Sequence, residues 1–323
     1  MRGAGVAGLV VSVVLAERGA DVTLAEEGAR IGAGASWKAG GMLAPWCEAE
    51  TAPHEILEHA EATIGWWLAH SPDAMRRGSL VLTPQRDTGE LARFARRTVS
   101  HEWLDREAIG VLEPDLDGRF GKALFFPREA HLDPRLALPA LAERLVALGG
   151  RIVLGGQEGP EHIRGSFQGI VDCRGFAARH ALPGLRGVRG EMLLLRCPEL
   201  TLTRPIRLLH PRFPIYVVPR GDHVFMVGAT MVESEQQGGI TARAMMELLG
   251  AAYALHPALA EAEIIESGAG LRPSFADNMP RVQEVDGVIS VNGMHRHGFL
   301  MAPVLAEDVA ALLGLPEASG LPR

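Results

Sequence analysis

The first ten residues, MRGAGVAGLV, place Gly3, Gly5 and Gly8 at the spacing G-x-G-x-x-G. No other feature of the chain restricts its fold as strongly. Glycines at these positions let a strand-to-helix turn press its backbone amides against a dinucleotide pyrophosphate at a helix N-terminus. The motif also demands a second strand ending in an acid, about 20 residues on, to hold a ribose hydroxyl. That strand is present. In ADVTLAE, Val22 and Leu24 alternate with Asp21 and Thr23, Gly19 stops the preceding helix, and the run ends at Glu26. A secretory signal peptide competes for the same residues, because Arg2 precedes the apolar run 6–16 and Val14 and Ala16 are small. A signal peptide asks nothing of residues 20–26, so the strand and its acid favour the nucleotide unit.

The unit lacks an obvious first strand. Only Met1 and Arg2 precede Gly3, and a central parallel strand is ordinarily an apolar run buried on both faces. We therefore expect that Met1 and Arg2 cannot form it and that the natural frame supplies an apolar segment of about five residues upstream. On this expectation the chain as it stands folds marginally and binds its dinucleotide weakly.

With 323 residues, 47% of them hydrophobic and 22% charged, the chain can build one large or two interleaved globular domains. A formal net charge of −7 without a basic stripe argues against a nucleic-acid partner. Cys47, Cys173 and Cys197 include no C-x-x-C pair, so neither a disulfide framework nor a zinc site is indicated and a reducing cytoplasm fits. No apolar stretch reaches the roughly 18 residues of a membrane span.

Along the chain, the glycine-dense IGAGASWKAGGMLAPWCEAE reads as a binding loop, and a helix follows over 53–68, with Trp66 and Trp67 as packing residues. GSLVLTP and KALFFP read as strands. HLDPRLALPALAERLVALGG is a helix with Asp133 as N-cap and Pro134 at its first position. RIVL and GIVDC are short strands; GEMLLLRC, RLLHPRFPIYVVPR and HVFMVGATM form a β-rich middle, followed by a helix at TARAMMELLGAAYAL. The end returns to strand, glycine turn and helix. The expected architecture is α/β: a Rossmann-type dinucleotide domain from 1–76, 132–184 and 267–323, with a β-rich α+β substrate domain from 77–131 and 185–266 inserted between its segments.

Three motifs suggest chemistry. In VNGMHRHGFLMAP, Gly298 leads Phe299, Leu300 and Met301 into a helix whose free amides and positive dipole end suit an anion such as a reduced flavin. His295 and His297, flanking Arg296, have no third ligand nearby, so a polar loop is expected and no metal. In GAGLRP, Pro273 holds Arg272 extended, and a fixed guanidinium can clamp a carboxylate with two hydrogen bonds; a structural ion pair is the alternative. Tyr216, in PIYVVP, reads equally as core.

Taken together, GAGVAGL, VTLAEEG, ASWKAGGMLAPWCEAE, ALFFPREAHLDP, GVRGEMLLL, YVVPRGDHVFMVGATM, GAGLRP and NGMHRHGFLMAP resemble, in order and spacing, the FAD-dependent D-amino-acid oxidase superfamily. Within it they are most similar to the glycine oxidases of thiamine biosynthesis. The resemblance spans nearly the whole chain. It implies a glutathione-reductase-like FAD domain, with FAD held by Gly3, Gly5, Gly8 and Glu26. Ala35, Ser36, Gly40, Gly41, Met42 and Gly175 would lie along the cofactor, and Gly298, Phe299, Leu300 and Met301 would meet its ring. It also implies that Arg272 and Tyr216 grip the substrate carboxylate, that Met231 lies beside the substrate and that Arg296 stands near the flavin and the pocket mouth. Three positions depart from the family pattern: Glu27 where an arginine is common, the bulky and charged Lys38, and the short glycine-rich segment 155–168.

The implied reaction is oxidative deamination of glycine, or of another small amine such as sarcosine or D-alanine, by hydride transfer that needs positioning rather than a side-chain base. O2 would return the flavin to its oxidised state and give H2O2. Candidate protein partners are a thiazole-forming enzyme, which would receive the imine, and further copies of the chain. Two rivals remain open: a flavin amine dehydrogenase or demethylating oxidase for sarcosine, proline or another D-amino acid, and a non-catalytic flavin-binding scaffold.

Overall fold

A computed structural model describes residues 1–50, 55–84, 87–155 and 167–316. The start of the helix expected over 53–68 and most of the departing segment 155–168 lie outside them.

The helix Val6–Glu17 is apolar almost all round and buried along nearly its whole length, which requires cover on every side. It packs between the helices Gly298–Leu312 and Pro134–Ala147. Beneath it runs the nucleotide sheet. Thr23–Glu26 pairs in parallel with Arg151–Leu154 on one side. On the other side of the sheet, Val171–Asp172 pairs in parallel with Val288–Asn292, which in turn carries the antiparallel Arg281–Val285.

Residues 1–3 join these two halves, which corrects the expectation that Met1 and Arg2 cannot form the central strand. Arg2 bridges in parallel to both Ala25 and Asp172. The Ala25 amide donates to Met1 O at 2.9 Å, the Gly3 amide to Ala25 O at 2.7 Å, the Arg2 amide to Val171 O at 2.9 Å and the Cys173 amide to Arg2 O at 2.8 Å. The physical reason is the shortness of the neighbour. Val171–Asp172 offers so few ladder groups that three residues satisfy them, and the Met1 ammonium donates to Thr23 O at 2.8 Å. With Arg2 and Gly3 held by both neighbouring strands, the glycine turn gives no reason for weak dinucleotide binding.

The second layer is a nine-stranded sheet. Near one edge runs its long strand Arg186–Arg196, flanked by Val224–Gly228 and Val232–Glu233 on one side and by the twelve-residue strand Glu263–Ser274 on the other. Ile215–Pro219, Ile206–Leu208, Ser79–Leu82, Lys122–Phe126 and Glu102–Asp105 continue it. The helix Ala242–Leu255, capped by the Thr241 side chain, covers one face. Glu263–Ser274 went unread in the sequence, and the boundary drawn between 266 and 267 falls inside it. The Asp133 cap of Pro134–Ala147 is as expected. The helix expected over 53–68 is seen as Glu55–Glu58 and Ala60–His70, with Trp67 fully buried and its Nε1 donating to Phe299 O at 2.5 Å.

Candidate active site

The two sheets enclose a cavity of about 580 Å³. Its floor is the first glycine turn. Gly3 has φ +91°, in the left-handed region, and a Cβ there would lie 2.8 Å from Cys173 O. Gly5 is the N-cap of Val6–Glu17 and supplies no capping side chain. The Val6 amide donates instead to Ser36 Oγ at 3.0 Å, which leaves the Ser36 hydroxyl proton to donate to an anion at the helix end. The Glu26 carboxylate accepts from the Ala4 amide at 2.7 Å and the Gly28 amide at 2.9 Å, fixed where a ribose could meet it.

Gly3, Gly5, Glu26, Ala35, Ser36, Gly40, Gly41, Met42, Gly175, Gly298, Phe299 and Leu300 all line this cavity. Gly8 and Met301 are not among its lining residues. Gly8 lies under Gly3, whose carbonyl oxygen occupies the space a Cβ would need, so it lets the helix sit close beneath the turn. Met301 is buried in the apolar core of its helix. The Gly40–Met42 turn is held by Arg220, whose guanidinium donates to Ala39 O and Gly40 O at 2.9 Å and to Leu132 O at 2.6 Å. No motif in the sequence pointed to Arg220.

At the far end stand Tyr216, Arg272 and Arg296. Arg272 Nη1 donates to Thr230 O at 3.1 Å, and the Tyr216 side chain lies beside it. Burial lowers the Arg272 pKa, opposed by Tyr216. Among the described residues no carboxylate forms an ion pair with Arg272, so the alternative of a structural ion pair lacks its partner. Gly190 makes room for the guanidinium, which occupies the space of a Cβ there. The adjoining cavity of about 350 Å³ shares Tyr216, Arg272 and Arg296 and is lined by Met231, itself 59% exposed. Arg296 pairs with Glu48 at 2.7 Å, and Glu48 also receives Arg207 at 3.2 Å. Neither Glu48 nor Arg207 was singled out from the sequence, because the signal is an encounter of distant residues. Lys38 lines the cofactor cavity and donates to Ala269 O.

Among the described residues no group of three metal-binding side chains converges. His295 Nδ1 lies 2.7 Å from Ser274 Oγ. Burial, with nearby arginines, pushes His295 down to about 3 and His297 down to about 4; His131 falls to about 4 for the same reasons. In the unfolded chain each takes a proton near its ordinary value of about 6.5. The depressed native values mean that this stability is complete above pH about 6.5 and is lost as pH falls toward 4, where the unfolded state binds more protons. These three histidines therefore pull the unfolding midpoint down between pH about 7.5 and about 5, against the buried Glu129 carboxyl, which burial pushes up to about 8 and which acts in the opposite direction. His297→Asn should flatten that slope, as thermal melts across the range will show.

The FAD dependent oxidoreductase (DAO) family model matches residues 3–312. The chain belongs to this family. It is 55% identical, over 98% of both chains, to the putative thiamine biosynthesis oxidoreductase ThiO of Rhizobium etli. It is 28% identical to a glycine oxidase of Pseudomonas aeruginosa, over 96% of this chain and 93% of that one. Glycine oxidase from Geobacillus kaustophilus superposes with a TM-score of 0.81 at 23% identity, over 98% of this chain and 94% of that one. The family's cofactor fits the cavity just described: glycines permit close backbone approach, the uncapped end of Val6–Glu17 suits a pyrophosphate, and Glu26 suits a ribose. His297 caps Gly298–Leu312 without a side-chain bond, so the first amides of that helix are also free. No described helix is long and apolar enough to cross a membrane.

Proposed function

We propose that this enzyme oxidises glycine to its imine, with O2 as the electron acceptor. The observation that carries this reading is Arg272: a guanidinium buried beside Tyr216, in ion-pair contact with no carboxylate among the described residues, in a cavity fit for FAD. A charge left in that state calls for an anionic ligand, and an α-carboxylate matches its planar fork. FAD, when bound, supplies a two-electron acceptor. The chain's own residues bind the carboxylate, orient the α-carbon toward the ring and keep the neighbouring histidines neutral. The adjoining cavity of about 350 Å³ leaves room for a small N-substituent, so sarcosine is also a substrate.

The imine would pass to a thiazole-forming enzyme. A bifunctional ThiO/ThiG protein of Synechocystis is 29% identical over 96% of this chain, and the match takes up 50% of that protein. This is what motivates the partner.

The test is anaerobic addition of glycine to the purified flavoprotein. Bleaching of the flavin absorbance, then its return on admitting air with release of H2O2, is the expected result. A flavin that bleaches but ignores air makes the enzyme a dehydrogenase, and a flavin that glycine and sarcosine leave untouched removes the oxidase reading. A pH series of the reduction rate adds a further check. The rate should rise with pH as the bound amine loses its proton, then level off, because His295 and His297 have no proton to lose above pH about 4. A falling limb abolished by replacing either histidine would contradict that assignment.

A further inference from the structure

Arg296 lines both the cofactor cavity and the adjoining one, and its guanidinium is engaged by a carboxylate. Its Nη2 lies 2.7 Å from Glu48 Oε2 and 2.9 Å from Oε1. The same carboxylate takes Arg207 Nη1 at 3.2 Å, and Arg207 Nη2 is 3.5 Å from Glu50. All of this is secluded: the Glu48 side chain is 12% exposed and that of Arg207 10%. The other arginines of the cofactor cavity are likewise matched, Arg174 by Asp172 and Arg189 by Glu191. In the outer cavity, Arg243 pairs with Glu247, and Arg212 sits on the exposed rim, where solvent and salt screen it. At the substrate end, among the described residues, Arg272 is therefore the arginine without an ion-pair partner of its own, and the Glu48 charge acts on it only from farther away.

We propose that Glu48 is a specificity-determining residue. By neutralising Arg296 it leaves a single carboxylate anchor, and so restricts the site to amines that carry one carboxylate. The inference rests on the reading that Arg272 binds that carboxylate. Without the Glu48 charge, Arg296 becomes a second anion anchor beside a cavity of about 350 Å³, large enough for a carboxymethyl group on the amine nitrogen. Glu48 lines the cofactor cavity and its charge reaches Arg272 as well as Arg296; both acetate and malonate use Arg272, so their ratio isolates what Glu48 does through Arg296.

The experiment uses the flavin-loaded enzyme and reads binding from the perturbation of flavin absorbance by acetate and by malonate. In the unmodified enzyme, acetate binds and malonate binds no more tightly. In Glu48→Gln, which keeps the size and loses the charge, the preference for malonate over acetate rises about tenfold or more, the scale of one charge-assisted pair. Glu48→Asp keeps the original ratio. The ratio of kcat/KM for N-carboxymethylglycine to that for glycine shifts in the same direction, whereas a merely structural loss would lower both substrates together.

The outcomes separate cleanly. If neither acetate nor glycine perturbs the unmodified enzyme, the carboxylate reading itself fails. If acetate binds but malonate already binds more tightly, or if Glu48→Gln leaves the ratio unchanged, only the role of Glu48 is overturned. Should Glu48→Gln not fold, Arg296→Gln tests the same pair from its other side: it leaves the unmodified enzyme's ratio unchanged if Glu48 already cancels Arg296, and a fall in that ratio overturns the proposal.

Discussion

Arg272→Ala lowers kcat/KM for glycine by about a hundredfold or more while flavin remains bound. Two charge-assisted hydrogen bonds contribute roughly 1.5–3 kcal/mol each, and every 1.4 kcal/mol is about a factor of ten. The loss should fall mainly on substrate saturation, because the guanidinium grips a group that does not react. Arg272→Lys recovers only part of it. Lysine restores the charge but not the planar fork, one arm of which is committed to Thr230 O at 3.1 Å. Flavin retention is expected because the glycine turn, Glu26 and Ser36 lie at the other end of the cavity. Rapid-mixing measurements of flavin reduction against glycine concentration will read both effects. Unchanged saturation in the alanine variant would show that the carboxylate sits elsewhere.

Gly8→Ala destabilises the protein by about 3 kcal/mol or more, the upper end of ordinary overpacking, because the obstacle is backbone rather than a side chain that can swing away. The added Cβ runs into Gly3 O and lies 3.4 Å from Cys173 Cβ. Relief would need the buried helix Val6–Glu17 to lift from the turn, and Gly3 is itself held by the hydrogen bond its amide donates to Ala25 O at 2.7 Å. Flavin per chain and the unfolding midpoint should fall together. Gly19→Ala provides the contrast. With φ +85° and no atom within 4 Å of a new Cβ, it suffers only conformational strain, about 1 kcal/mol. A Gly8→Ala protein with full flavin and an unshifted midpoint would mean that the turn and helix have slack the packing does not show.

Where signals are local, the sequence could be read. The spacing of Gly3, Gly5 and Gly8 and the acid at Glu26 describe one strand-turn-helix-strand unit, and Asp133-Pro134 describes one helix start; each is decided within a few residues. The strand Glu263–Ser274 was not legible. Gly268, Gly270 and Pro273 lower its intrinsic strand preference, and it exists because Arg186–Arg196 offers a continuous ladder beside it. Its glycines are tolerated for a packing reason. A Cβ at Gly268 would lie 3.4 Å from the Lys38 chain, and one at Gly270 would lie 3.5 Å from Ala35, so the turn Ala35–Lys38 takes the place of their missing side chains. Arg220 was equally hidden, since what it staples lies 180 and 181 positions away in the chain.

By itself the sequence determined the family and the cofactor, because these depend on motifs whose chemistry is carried by neighbours in the chain. Only the tertiary structure decided that residues 1–3 complete the nucleotide sheet, since a strand's length is set by the ladders beside it and not by its own residues. It also decided which arginines meet a carboxylate: Glu48 reaches Arg207 across 159 positions and Arg296 across 248. Charge compensation in a buried site is a property of distances, and only the fold sets those.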